Sequence, residues 1–131
     1  MHPVRSAVAV LALAVVCLAD DTNDVLDGPK NVVPNALHWD LAHFAVATEH
    51  AGLDYYNTVT EVVTASEQIN YTTIYRLTLK VVPSICKVGE MWYSKHRCPP
   101  QPYADEKVCQ AEIHDVPWRH PYRRVISFRC L

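Results

Sequence analysis

The sequence predicts an α+β domain in which one α-helix packs on a curved, four- to five-stranded antiparallel sheet held by two disulfides. Apolar residues recur with a helical period only between positions 34 and 52. From Asp54 onward the period changes to two, and β-branched and aromatic residues prevail. Four of the five cysteines follow in the C-terminal half. The apolar face of such a sheet needs the helix as its cover.

The first nineteen residues have the features of a secretory signal peptide. A basic start with Arg5 precedes an apolar run over 7–18, and Ala19 stands before Asp20, so we expect cleavage after Ala19. The run is shorter than the roughly 20 residues that a membrane helix needs. We therefore expect a secreted, extracellular protein with no membrane partner.

Residues 20–33 form the second segment. They are polar, carry four aspartates and include Gly28-Pro29. We predict a flexible N-terminal arm here, followed by one domain over residues 34–131.

The predicted helix starts at Asn35, whose side chain can cap the first turn, and Gly52 is expected to end it. The side chains predicted to face the sheet are Leu37, Leu41, Phe44, Ala45 and Thr48. The helix also carries His38, His43 and His50. His38 and His43 are five residues apart and lie on different faces, and His43 and His50 are two turns apart, so we expect no metal site.

Two strand pairs follow the helix. A long strand is predicted over 55–69, and the next alternates Tyr75, Leu77, Leu79 and Val81 on its packed face with Arg76, Thr78 and Lys80 on its wet face. A second pair is predicted over 108–116 and 123–130. Between the pairs, residues 87–107 form an irregular, proline-rich segment.

Four cysteines remain after signal cleavage, and an even count in an oxidising compartment indicates disulfides. Three pairings are possible. Cys109 and Cys130 flank the turn around Trp118 symmetrically, as cross-strand partners in a hairpin should, so we pair them and join Cys86 to Cys98. Each bridge should contribute about 3 kcal/mol. A zinc site is the alternative, and the wide cysteine spacing argues against it.

Charge is unevenly distributed, with −8 over residues 20–67 and +5 over residues 68–131. A basic half raises nucleic acid or heparin as partners. The densest basic run, residues 119–124, is short and interrupted by proline, which favours a solvated hairpin and no nucleic-acid partner. No catalytic motif or phosphate-binding loop is present in the sequence, so we expect neither an enzyme nor a cofactor.

Several motifs match, in order and spacing, those of the secreted family 2 cystatins. They are Gly28, the helix residues 41–45, the hairpin that starts at Gln68, the Tyr-Arg-Leu-Thr-Leu-Lys-Val run over 75–81, the four cysteines, and Val116-Pro117-Trp118. The 75–81 run and the C-terminal Ile-Ser-Phe-Arg-Cys resemble most the salivary cystatins of blood-feeding arthropods.

This resemblance implies a monomeric inhibitor of papain-like, cathepsin-type cysteine peptidases that occludes the active-site cleft reversibly and without chemistry. The arm and two hairpins would form the wedge. Carried onto this chain, the protease-contact residues are Gly28, Gln68, Ile69, Asn70, Tyr71, Thr72, Pro117 and Trp118. Trp118 is expected to be an exposed anchor, the alternative being a ring folded onto its own domain.

The first hairpin departs from the Gln-x-Val-x-Gly pattern of the family, because Asn70 and Thr72 replace Val and Gly. We expect Thr72 to tolerate a positive φ poorly, and desolvating the Asn70 amide to cost about 1–3 kcal/mol. Asn70-Tyr71-Thr72 is also an N-glycosylation acceptor, so we expect a glycan on Asn70. The alternative to an inhibitor is a non-inhibitory cystatin-fold protein with another partner.

Overall fold

The computed structural model describes residues 28–131 and contains one helix and one sheet. The elements are β1 (Lys30–Val32), α1 (Ala36–Thr48), β2 (Tyr55–Ile69), β3 (Thr73–Lys87), β4 (Lys107–Asp115) and β5 (Arg123–Cys130). The strands pair antiparallel in chain order, and α1 packs on one face. The predicted fold class is confirmed, with five strands. The predicted signal peptide (1–19) and residues 20–27 of the arm lie outside the described residues.

The predicted arm is corrected at its C-terminal end, where residues 30–32 form β1. Lys30 pairs with Glu67 and Val32 pairs with Ala65, so β2 provides the backbone partners of this short edge strand. Val32 also packs against the core. Because the strand has only three residues and a polar composition, periodicity could not reveal it.

Helix α1 begins with a capping box. The Asn35 side chain accepts a hydrogen bond from the Leu37 backbone N–H at 2.9 Å, and the Asn35 N–H donates to Nδ1 of His38 at 3.0 Å. The helix ends at Thr48 and not near Gly52, which lies in the following turn with a φ of 79°. The predicted C-terminal end is therefore four residues too late.

The buried face of α1 is rotated from the predicted one. The buried side chains are His38, Leu41, Ala42, Ala45 and Val46, whereas Leu37 and Thr48 are exposed. His38 was not among the side chains predicted to face the sheet. Its hydrogen bonds allow its burial.

The core lies between α1 and the inner face of the sheet. Its sheet-side members are Val59, Val62, Ala65, Tyr75, Leu77, Leu79, Val81, Cys109, Ala111 and Ile113. The predicted inward face of β3 is confirmed, although β3 begins two residues before Tyr75 and runs on to Lys87. Bulges in the β2–β3 and β4–β5 pairings bend the sheet around the helix.

Two disulfides hold the sheet and its long connection. Cys86 is bonded to Cys98, which ties the irregular segment 88–106 to the end of β3. Cys109 is bonded to Cys130 across the β4–β5 pair. Both bridges lie in the C-terminal half of the chain, and Cys109 is also part of the core beneath α1.

Candidate functional site

Three chain segments meet at the end of the sheet where β2 turns into β3. The pairing of Lys30 with Glu67 places Gly28 and Pro29 beside the end of β2. The pairing of Thr73 with Asp115 places the β4–β5 loop on the other side of the same hairpin. We call residues 28–29, 68–73 and 116–122 the contact edge. The fold thus brings together all eight residues that were predicted to be protease contacts.

The β2–β3 hairpin has a three-residue tip at 70–72. The last ladder pair is Ile69 with Thr73, and the Asn70 backbone N–H donates to the Thr72 carbonyl at 2.8 Å. Ile69 is 65% exposed and Tyr71 is 89% exposed. These large apolar side chains are exposed and do not fill the core, so the tip offers apolar area that can be buried against another molecule.

The expected backbone strain at Thr72 is absent. Among the non-glycine residues that the structure describes, only Tyr103 has a positive φ, of 60°. The tip therefore turns without a left-handed residue at position 72, and a β-branched side chain fits there without penalty. The expected cost to peptidase binding then comes only from the added volume and polarity of the side chains at the tip.

The second part of the contact edge is the β4–β5 loop. The Val116 N–H donates to the Tyr122 carbonyl at 2.7 Å, and the Arg119 N–H donates to the Val116 carbonyl at 3.0 Å, which closes the turn over Pro117 and Trp118. Trp118 is 69% exposed. Its ring therefore does not fold onto its own domain, and the loop presents it to solvent.

A half-buried ion pair supports this loop, and it was not predicted from the sequence. Arg123 donates to both carboxylate oxygens of Asp115, from Nε and Nη2, each at 2.8 Å. The hydrogen bond and charge of Asp115 raise the pKa of Arg123, against the opposing effect of burial. The guanidinium carbon also lies 5.3 Å from the centre of the Tyr122 ring. The sequence signal that could have revealed this ion pair is the position of Asp115 and Arg123 directly before and after the loop.

A second contact joins α1 to the first hairpin. His38 is fully buried, and its Nε2 lies 2.8 Å from Oε2 of Glu67, the residue before Gln68. Because Nδ1 accepts the Asn35 N–H, the hydrogen of the neutral ring is on Nε2, which donates to the carboxylate. This histidine therefore positions the end of β2.

The arrangement is suited to binding and not to covalent chemistry. The four cysteines of the described region are all in disulfides, so none of them provides a thiolate. Within residues 28–131, no three His, Cys, Asp or Glu side chains are grouped to hold a metal ion. The exposed aromatic rings offer apolar contact area instead.

Comparisons with known proteins identify the relatives of this chain, although no family model matches it. It is 46% identical over 129 residues to Cystatin-1 of Ornithodoros moubata, covering 97% of this chain and 98% of the relative. Salivary cystatin-L of Ixodes scapularis is 31% identical, covering 94% of this chain and 92% of the relative.

Solved structures agree with these sequence matches. A salivary cystatin from the soft tick Ornithodoros moubata has a TM-score of 0.76 at 34% identity, over 82% of this chain and 99% of that one. Mialostatin, a gut cystatin from the hard tick Ixodes ricinus, has a TM-score of 0.73 at 37% identity, over 79% and 97%.

These relatives are named for tick saliva and gut, as the motif resemblance had indicated. In the described part of this chain, no helix is both long enough and apolar enough to span a membrane. With one helix on a five-stranded sheet, two disulfides and near-complete coverage of Cystatin-1, this chain belongs to the cystatins, a family of peptidase inhibitors and not of enzymes.

Proposed function

We propose that this protein is a secreted, monomeric inhibitor of papain-like cysteine peptidases of the cathepsin type. The contact edge would enter the active-site cleft and exclude water and substrate from it. Binding would be reversible, because the edge brings apolar area and no reactive group. The observation that carries the proposal is the exposure of Trp118, Tyr71 and Ile69 at one end of the sheet.

The geometry of the second loop supports a central role for Trp118. The ring stands on a turn that is closed by two backbone hydrogen bonds and braced by the Asp115–Arg123 pair. A pre-formed loop loses little conformational entropy on binding, and buried tryptophans are frequent hot spots in interfaces. We therefore assign Trp118 the largest single share of the contact.

The first hairpin supports the proposal less strongly. Ile69 and Tyr71 add apolar area, but Asn70 presents an amide at the tip and begins a glycosylation acceptor. A glycan there would stand between the edge and a narrow cleft. This favours, as second candidate, a non-inhibitory cystatin-fold protein that binds another partner.

Inhibition of a papain-like peptidase by the secreted protein tests the proposal. Replacing Trp118→Ala should raise the inhibition constant by roughly 30-fold, which corresponds to about 2 kcal/mol, because a rigid aromatic anchor is lost. The matched control is Trp92→Ala, since Trp92 is 90% exposed but lies in segment 88–106, outside the contact edge.

Equal constants for the Trp118→Ala variant and the unchanged protein would contradict the role of the second loop. If the unchanged protein does not inhibit the peptidase either with or without N-glycans, the proposed inhibitory function is wrong. The non-inhibitory cystatin-fold protein with another partner is then favoured.

A further inference from the structure

The face of the sheet opposite α1 carries a cluster of arginines that the contact edge does not use. A recess of about 410 Å³ opens on this face. It is lined by residues from all five strands, among them the polar Thr64, Ser66, Thr78 and Ser127 and the basic Arg76 and Arg129. We call Arg76, Arg124 and Arg129 the open-face cluster.

A β-bulge puts two of these arginines on the same face. Arg124 and Arg129 are five residues apart, an odd spacing that would place them on opposite faces of a regular strand. The register shifts between Glu112 and Ile113, so that Arg124 pairs with His114 and Arg129 pairs with Gln110. Alternate residues of β4 share a face, and the cluster therefore lies on one surface.

Charge on this surface is not balanced within the described chain. Glu112 is the one acid that lines the recess there, and both of its oxygens are engaged, by Nε of Arg76 at 3.2 Å and by Nε2 of His114 at 2.8 Å. Arg129 donates only to the neutral Gln110 side chain, at 3.4 Å, and Arg124 forms no ion pair with a described residue. Two full positive charges remain.

The spacing of these charges selects the kind of ligand. Their β4 partners His114 and Gln110 are four residues apart, which separates the two arginines by about 13 Å along the strand. That distance is wide for one small anion and suits repeated charges on a polymer. Aromatic side chains are missing from the residues that line the recess, so nucleic-acid bases find no stacking partner within it. Hydroxyl and amide side chains instead suit a hydroxyl-rich chain.

We propose that the open-face cluster binds sulfated polysaccharide, with the sulfates on the arginines and the sugar hydroxyls over the recess. The surface lies on the open face of the sheet, and its Arg124 lies two residues after the end of the contact edge. The proposal does not depend on whether the contact edge inhibits a peptidase.

A heparin-derived oligosaccharide of defined length is the probe, and its dissociation constant is measured by calorimetry at several salt concentrations. The double variant Arg124→Gln/Arg129→Gln should bind roughly tenfold more weakly, and the slope of log K against log salt should fall in magnitude by about two. The charge-matched control is Lys87→Gln/Arg97→Gln, which changes exposed residues at the other end of β3 and should bind like the unchanged protein.

Three outcomes overturn the proposal. The first is absence of binding by the unchanged protein, and the second is an equal loss in the control variant, which indicates delocalised attraction. The third is equal affinity for the desulfated oligosaccharide or for single-stranded DNA of similar charge, which assigns the surface to another ligand. Since the replaced side chains are exposed, a thermal unfolding midpoint equal to that of the unchanged protein verifies the fold of each variant.

Discussion

At the scale of single residues, the structure changes the effect that we expect from Thr72. In the sequence it replaces a glycine of the family pattern, and a strained turn was expected. The tip closes through the Asn70 N–H and the Thr72 carbonyl without a positive φ at Thr72. Thr72 therefore matters mainly through its hydroxyl, which completes the N-glycosylation acceptor that begins at Asn70.

Two substitutions at position 72 separate the glycan from the backbone. Thr72→Ala removes the acceptor and Thr72→Ser keeps it, while both lose the γ-methyl group. If a glycan on Asn70 blocks the cleft, the alanine variant from a secretory host should inhibit a papain-like peptidase more than about tenfold better than the serine variant. Enzymatic removal of N-glycans should reduce that difference.

Equal inhibition constants, with the serine variant shown by mass spectrometry to be glycosylated, would mean that this hairpin stays outside the cleft. A serine variant without sugar would contradict the predicted glycosylation of Asn70.

At the scale of secondary structure, α1 is coupled to the first hairpin through one buried side chain. His38 accepts the Asn35 N–H and donates to Glu67, so it closes the capping box and also holds the end of β2. The contact between His38 and Glu67 therefore stabilises the start of α1. The first turn has no acidic side chain of its own that could interact favourably with the helix dipole.

Replacing His38→Ala should lower the free energy of unfolding by about 3 kcal/mol, since it leaves a cavity, the Asn35 N–H without its acceptor and the Glu67 carboxylate without its donor. Leu37→Ala is the control, because Leu37 is the exposed neighbour in the same turn, and its change should be below about 1 kcal/mol. Urea unfolding followed by circular dichroism measures both. Similar losses in the two variants would exclude a special role for the buried imidazole.

At the scale of the whole molecule, segment 88–106 is packed against the helix and the sheet at once. The hydroxyl of Tyr93 lies 2.6 Å from Nδ1 of His43 on α1 and 3.0 Å from Oγ1 of Thr58 on β2. Lys95 adds an ion pair to Asp40 at 2.9 Å. Together with the Cys86–Cys98 bond, these contacts hold a proline-rich connection that has no strand or helix of its own.

This packing predicts a loss of stability in mild acid. Burial, followed by the charge of Lys95, lowers the pKa of His43 below its ordinary value of about 6.5, although Asp40 opposes the shift. The unfolded chain therefore binds this proton more readily than the folded one. The contribution of His43 to stability is complete above about pH 6.5 and decreases as the pH falls below it, by up to about 1.4 kcal/mol per pH unit.

Urea unfolding between about pH 5 and pH 7 measures this dependence. The His43→Gln variant should show a shallower fall in unfolding free energy than the unchanged protein. His96→Gln, which replaces an exposed histidine of the 88–106 segment, should leave the fall nearly unchanged. An identical pH dependence in the His43→Gln variant would show that burial of this imidazole does not affect folding.

The sequence by itself was sufficient for the features that depend on local pattern. The period of two predicted β2 and the inward face of β3, and Asn35 marked the helix start. The short strand β1 and the true end of α1 were missed because a three-residue strand and a capping residue such as Glu49 carry little periodic signal.

The tertiary structure alone decided which side chains are exposed and which share a surface. The common face of Arg124 and Arg129 depends on the β4–β5 register and its bulge. The exposure of Trp118 and the relaxed backbone at Thr72 depend on how the two loops between paired strands close. These arise from pairing between segments that are distant in the chain. Local pattern specifies an element and its period, whereas only the packing of elements sets the register that brings side chains together.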